Sequence, residues 1–250
     1  MRGDKTVIYE NSLHQKAIFD QKYLFCESID MTSTTGVHFT EQPALADGQA
    51  IVFSKLSAKT VPCSFAFKNT QNDNFTKTML ENIFNPKISG TLTVITKNHT
   101  YKLGVRPQNQ PSFKRDTVKF IYRFDVDFVS ASSLWKMDSE ITVPLTSAET
   151  TLLSENPYDL PIKIAFPNCN SSTLFNVNGK GFTLKPHAMP LTVDTQNFSV
   201  RDVNGANQNQ YIDATAQLDE VYIRFGENKI ICSPFADVQI FYYQLSNGEM

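Results

Sequence analysis

An all-β chain with one short helix, divided into two domains, is what this sequence predicts, and three observations carry that reading. Nineteen Phe and nine Tyr stand in short runs with Thr, Val and Ile, the composition of pleated, half-buried strands. Only residues 75–94 carry a convincing helical period. At 250 residues the chain exceeds the usual size of one core, so two cores of about 100–150 residues each are expected. The hydrophobic fraction of 41% is enough to fill them.

In the first half, strands are expected near residues 6–9, 22–30, 50–55, 61–67, 90–96, 100–105 and 119–129. Residues 31–49, MTSTTGVHFTEQPALADGQ, are polar and too long for an ordinary hairpin turn, and are read as a loop or arm. The helix follows: Phe75, Met79, Leu80, Ile83 and Phe84 recur at helical spacing, Asn72 to Asn74 offer a cap, and Asn85-Pro86 ends it. Residues 88–103 then read as a hairpin turning through Lys97-Asn98-His99. A junction is expected at 130–140, with 146–161 as a polar, proline-bounded linker. Beyond it, Asn178-Gly179 and Asn204-Gly205 mark tight turns between alternating runs, the spacing of a sandwich or jelly roll. The domain boundary is placed at 1–135 and 136–250. Residues 1–135 hold 16 basic and 12 acidic residues, a balance of +4, while 136–250 hold 7 and 13, a balance of −6.

The overall formal charge of −2 provides no field for nucleic acid or an anionic membrane, so neither is expected as a partner. No secretion signal and no long apolar span are read, and a soluble chain is expected. Cys26, Cys63, Cys169 and Cys232 stand singly and are read as buried thiols. His14, His38, His99 and His187 have no metal-ligand spacing among themselves or with cysteine pairs, and no metal or cofactor is expected. There is no G-x-S-x-G elbow and no complete phosphate loop around Gly179-Lys180-Gly181. Asp125 and Asp127 project from one face of a strand roughly 7 Å apart, a spacing compatible with a glycosidase pair, but a solvated strand face is the preferred reading. Trp135 is placed in the core or at a domain contact, away from the second domain where a sugar platform would be wanted.

Four features in order, namely the helix with N-P-K-x-x-G-x-L (Phe75 to Leu92), the hairpin after it, the strand IYRFDVDFVSASSLW ending at the junction, and a second β-domain with FNVNGKGFTL and DVQIFYYQL, resemble the distal tail proteins of siphophages. The resemblance covers essentially the whole chain. It implies an N-terminal ring-forming β-sandwich or split barrel and a C-terminal galectin-like jelly-roll β-sandwich. It also implies a structural virion protein with no catalytic site, made in the bacterial host cytoplasm. Six copies would form a ring joining the tail tube protein to the tail-associated hub protein and the baseplate, with receptor-binding proteins anchored outside. The second domain carries no large insertion, which speaks against an added carbohydrate-binding module. Val37, Phe39 and Leu45 are the residues expected to anchor the arm on an adjacent subunit. A carbohydrate-binding sandwich and a glycoside hydrolase using Asp125 and Asp127 are the alternative readings.

Overall fold

The computed structural model describes residues 5–32, 36–41, 50–56, 58–68, 72–213, 216–246 and 248, with only the backbone for 36–41 and 50–56. It is an all-β protein with, among the described residues, one α-helix and sheets that do not close into a barrel. The chain divides into two compact units, Met1–Asp138 with Ser246–Met250, and Ser139–Leu245.

The first unit contains β1 (Thr6–Asn11), β2 (Lys16–Phe19), β3 (Leu24–Ile29), β4 (Gly36–Glu41), β5 (Ala50–Leu56), β6 (Lys59–Lys68), α1 (Asp73–Ile83), β7 (Gly90–Ile95), β8 (Thr100–Pro107), β9 (Lys114–Asp116), β10 (Ile121–Ser130) and the start of β11 (Trp135–Pro144). Strands β2-β1-β7-β8-β11 make one antiparallel layer and β3-β6-β10-β9 the other. Alternation along β8 and β10, and along β6 apart from the additionally buried Ala66, turns one side chain in two inward. The core this makes is aromatic. Phe19 stacks on Phe65 at 4.0 Å between ring centroids, Tyr9 on Phe84 at 5.2 Å, and Phe65 and Phe124 lie 5.5 Å apart. Burial pushes the Tyr9 hydroxyl up to about 12. Trp135 is wholly buried and its indole N–H donates to the Met31 carbonyl at 3.1 Å, so its role is core packing. Helix α1 closes the core through Leu80, Ile83 and, just past its end, Phe84. Buried Asn11 ties this end down: its amide donates to the Ile83 carbonyl at 3.3 Å while Oδ1 accepts the Leu13 and Gln15 N–H groups.

The sequence-based helix face needs one correction. Phe75 has helical spacing with Met79 and Ile83, yet it is 73% exposed. It sits in the first turn, at the rim of a shallow pocket it shares with Tyr23 and Lys68, and spacing alone does not say how far along a helix burial extends.

The second unit holds the remainder of β11 with β12 (Glu149–Ser154), β13 (Leu160–Phe166), β14 (Thr173–Val177), β15 (Lys180–Leu184), β16 (Leu191–Asp194), β17 (Ser199–Asp202), β18 (Tyr222–Ile223), β19 (Gly226–Ser233) and β20 (Gln239–Ser246). Its layers run β17-β16-β13-β20-β11 and β12-β19-β14-β15. Phe166, Phe175 and Phe182 form the aromatic centre of its core, with Phe175 and Phe182 stacked at 5.6 Å. Asn178-Gly179 adopts left-handed φ values of 55° and 86° and closes the β14–β15 hairpin, as the Asn-Gly pair predicts. Fully buried Asn228 is the polar fastening that sequence reading missed. Its amide donates to the Arg224 and Gly226 carbonyls, and its Oδ1 accepts the Arg224 N–H at 2.8 Å and the Asn178 amide at 2.9 Å.

The polar segment 146–161 is not a linker. Glu149–Ser154 is an edge strand paired residue by residue with Gly226–Ile231 of β19. A sequence such as ETTLLS hides this because an edge strand solvated on one face needs few apolar residues. The division between the units falls instead inside the continuous strand β11.

Candidate assembly surfaces

Strands β4 and β5 stand as a two-stranded sheet of their own. Gly36 pairs with Leu56, Val37 with Lys55 and Phe39 with Phe53, and the register then shifts before Thr40 pairs with Ile51. Residues 31–49, read from sequence as a loop, therefore contribute a strand. The polar composition masked it, because a two-residue period over six positions is weak evidence when only Val37 and Phe39 among them are apolar side chains larger than glycine. Of the expected anchors, Val37 and Phe39 lie two apart on β4, on one face of that strand. Leu45 lies outside the described residues.

A second surface forms where β3, β6 and β10 end together. The Lys68 N–H donates to the Tyr23 carbonyl at 3.2 Å, Leu24 pairs with Phe67, and Ile121 pairs with both Lys68 and Asp116. These pairings set Tyr23, Lys68 and the 116–120 turn side by side, since paired strands lie about 4.8 Å apart. Four large apolar side chains are exposed there: Tyr23 at 70%, Phe75 at 73%, Val118 at 86% and Phe120 at 66%. Tyr23, Lys68, Phe75 and Met79 line one shallow pocket. The Lys68 ammonium lies 5.6 Å from the Tyr23 ring and 5.7 Å from the Phe25 ring, and that of Lys77 3.9 Å from the Tyr122 ring, within cation–π range.

The turn at this end has a counterpart in the second unit. In Asp116-Thr117-Val118-Lys119-Phe120 the aspartate Oδ1 accepts the N–H groups of Val118 and Lys119, both at 3.0 Å, and Phe120 takes φ of 53°. In Asp194-Thr195-Gln196-Asn197-Phe198 the same oxygen accepts Gln196 at 2.9 Å and Asn197 at 3.1 Å, and Phe198 takes φ of 51°. The aspartate, which caps its own turn, accounts for the backbone in both cases. It does not account for a bulky residue in the left-handed region, which is uncommon. Backbone N–H donation from Lys119 and the Arg123 guanidinium hold the Asp116 carboxyl below its usual range. Arg123 bridges Asp116 at 2.6 Å to Glu27 at 2.9 Å, across the bulge in β3.

The remaining sequence candidates fall elsewhere. Asp125 and Asp127 lie on the outer face of β10, and Asp125 accepts the Ser64 hydroxyl at 2.7 Å. His14 pairs with Glu10 and His99 with Asp138, while His187 is buried with its ring nitrogens 2.8 and 2.9 Å from the Lys185 and Pro167 carbonyl oxygens. His38 lies on β4. No group of three or more metal-ligating side chains converges among the described residues. All four cysteines are free and buried, and burial pushes the Cys26 thiol up to about 11.

No family model matches the chain, and no curated protein matches it. Solved structures do. The SPP1 Dit (gp 19.1) protein, a hub adsorption apparatus component of a phage infecting Gram-positive hosts, superposes with a TM-score of 0.72 at 12% identity, over 97% of this chain and 99% of that one. A chain of the phage P2 baseplate in its activated conformation with Ca gives 0.57 at 8% identity, over 97% and 99%. The corresponding baseplate with Sr gives 0.53 at 7%, over 98% and 99%. At such low identity the likeness is one of fold, and it extends from one end of the chain to the other. The chain therefore has the Dit-like fold that its helix-N-P-K segment and strand order led us to expect.

Proposed function

We propose that this protein is a structural component of a siphophage tail tip, a ring of copies joining the tail tube protein to the hub and baseplate. The supporting observation is the fold likeness to the SPP1 Dit hub protein over 97% of the chain. In this reading the ring is a hexamer built by the first unit. The galectin-like second unit faces outward and holds tail-tip or receptor-binding components, and the protein acts without catalysis or cofactor. A ring of one chain needs two different, complementary surfaces on each copy. The β4–β5 ribbon, with Val37, Phe39 and Leu45, is proposed as one of them. The wholly buried Trp135 offers no sugar platform, and we place no carbohydrate site in the second unit.

Light scattering with negative-stain imaging tests the ring directly, and a strictly monomeric species at high concentration, with and without its tail partners, would overturn it. For the arm, Val37→Ser with Phe39→Ser removes about 3 kcal/mol of apolar burial per interface. The expected outcome is a variant that melts like the parent and fails to assemble. Normal assembly would reduce the ribbon to a surface feature, and failure to fold would assign it to the core.

A further inference from the structure

We propose that the exposed aromatic end of β3, β6 and β10 is the seat for a second copy of this chain, which lays its β4–β5 ribbon there. The inference rests on the ring reading and names the acceptor surface that reading leaves open.

Two incomplete surfaces in one unit suggest it. A two-stranded ribbon is marginal in water without a third strand or a layer to cover it, and β4 and β5 pair with no other described strand. At the other surface, Tyr23, Phe75, Val118 and Phe120 expose apolar area that no described residue of the unit covers, and Phe120 does so from a left-handed backbone position. Each surface needs what the other offers.

Position makes the pairing intermolecular. The ribbon ends at Leu56 and β6 begins at Lys59, so the ribbon is rooted at the Lys59 end of β6, whereas the aromatic seat adjoins Lys68 at its other end. Ten residues of strand put root and seat about 30 Å apart. The seven residues of β5 span only about 20 Å, so the paired part of the ribbon does not reach the seat of its own unit. Arm and seat at opposite ends of one unit meet the geometric requirement of a head-to-tail ring.

Chemistry agrees with position. The sequence from Gly36 to Leu56 carries Glu41 and Asp47 against Lys55, while the seat is flanked by Lys68, Lys77 and Lys119 against Asp73 and an Asp116 already paired with Arg123. The apolar residues Val37, Phe39, Ile51, Val52 and Phe53 of the ribbon match a seat of exposed rings in kind.

The test uses the full chain. Phe120→Cys protein is mixed with protein carrying Phe39→Cys or Thr40→Cys, neighbours on opposite faces of β4, and treated with a short bis-maleimide. The native thiols, all buried, serve as the parent control. In parallel, Tyr23→Ser with Phe75→Ser is assayed for assembly by light scattering and for folding by its melt. The expected result is a covalent dimer in the mixture only, together with a double variant that melts like the parent but needs at least about tenfold higher concentration to assemble. Rings that form without the cross-link, and that Tyr23→Ser with Phe75→Ser leaves intact, overturn the seat while the ring reading stands. A parent that stays monomeric under all conditions overturns both. If the double variant misfolds, the cross-link alone decides.

Discussion

A methyl group added at Gly90 would close on the Glu10 carbonyl oxygen and lie 2.8 Å from both Asn11 Cα and the Tyr9 ring. Backbone and a buried ring yield little, so Gly90→Ala is expected to destabilise the protein by about 1–3 kcal/mol. Gly104, with nothing within 4 Å of its added Cβ, is the neighbouring-strand control and should tolerate Ala almost neutrally. Paired urea titrations check both, and equal midpoints would contradict this account of the close strand crossing. Asp138 gives a pH-dependent case. The Thr100 N–H, and then the His99 ring at 2.9 Å, hold its carboxyl below the usual range. A depressed folded-state value contributes stability above the unfolded value of about 3.9 and loses it as pH falls through the folded one. The stability gap between the parent and Asp138→Asn should therefore be open at pH 7 and closed at strongly acid pH. A gap that persists unchanged there would show that the carboxylate is not its source.

Helix α1 shows how one element divides its residues between stability and surface. Leu80 and Ile83 are buried under the sheets, and either truncation to Ala removes packed methyl groups and leaves a cavity. A loss of about 2–5 kcal/mol is expected for each. Phe75→Ala on the same helix should change stability by less than about 0.5 kcal/mol, because its ring is 73% exposed. Thermal melts of the three variants decide this, and a large Phe75→Ala cost would mean the ring packs within its own unit. The helix and the β7–β8 hairpin were legible from local pattern. The β4 strand was not, because its apolar residues alternate too briefly, and β12 was mistaken for a linker because an edge strand is half polar.

At the scale of the molecule, each unit has its own apolar core, one centred on Phe65 and Phe124 and the other on Phe175 and Phe182. We propose that each melts as its own cooperative transition, which scanning calorimetry should resolve as two peaks. The C-terminal segment Ser246–Met250 belongs with the first unit, where an added Cβ at Gly248, φ 96°, would lie 2.6 Å from the Met31 carbonyl oxygen. Gly248→Ala should therefore shift the transition of the first unit and leave that of the second in place. A single peak moving as a whole would show that the cores are coupled.

Local order was decided by the sequence itself. Period-two runs specify strands, Asn85-Pro86 stops helix α1, and Asn178-Gly179 supplies the backbone a tight hairpin needs, all through forces acting over a few residues. The all-β class was legible for the same reason, and the Dit-like fold was legible through the resemblance of four motifs in order along the chain. Tertiary structure alone decided what each face meets. It left Phe75 and Phe120 exposed while burying Phe84, set the division between units inside a strand, returned the C-terminus to the first unit, and kept β4 and β5 apart from the other sheets. Strand pairing joins residues far apart in the chain, and alternation says which side chains share a face without saying what covers it.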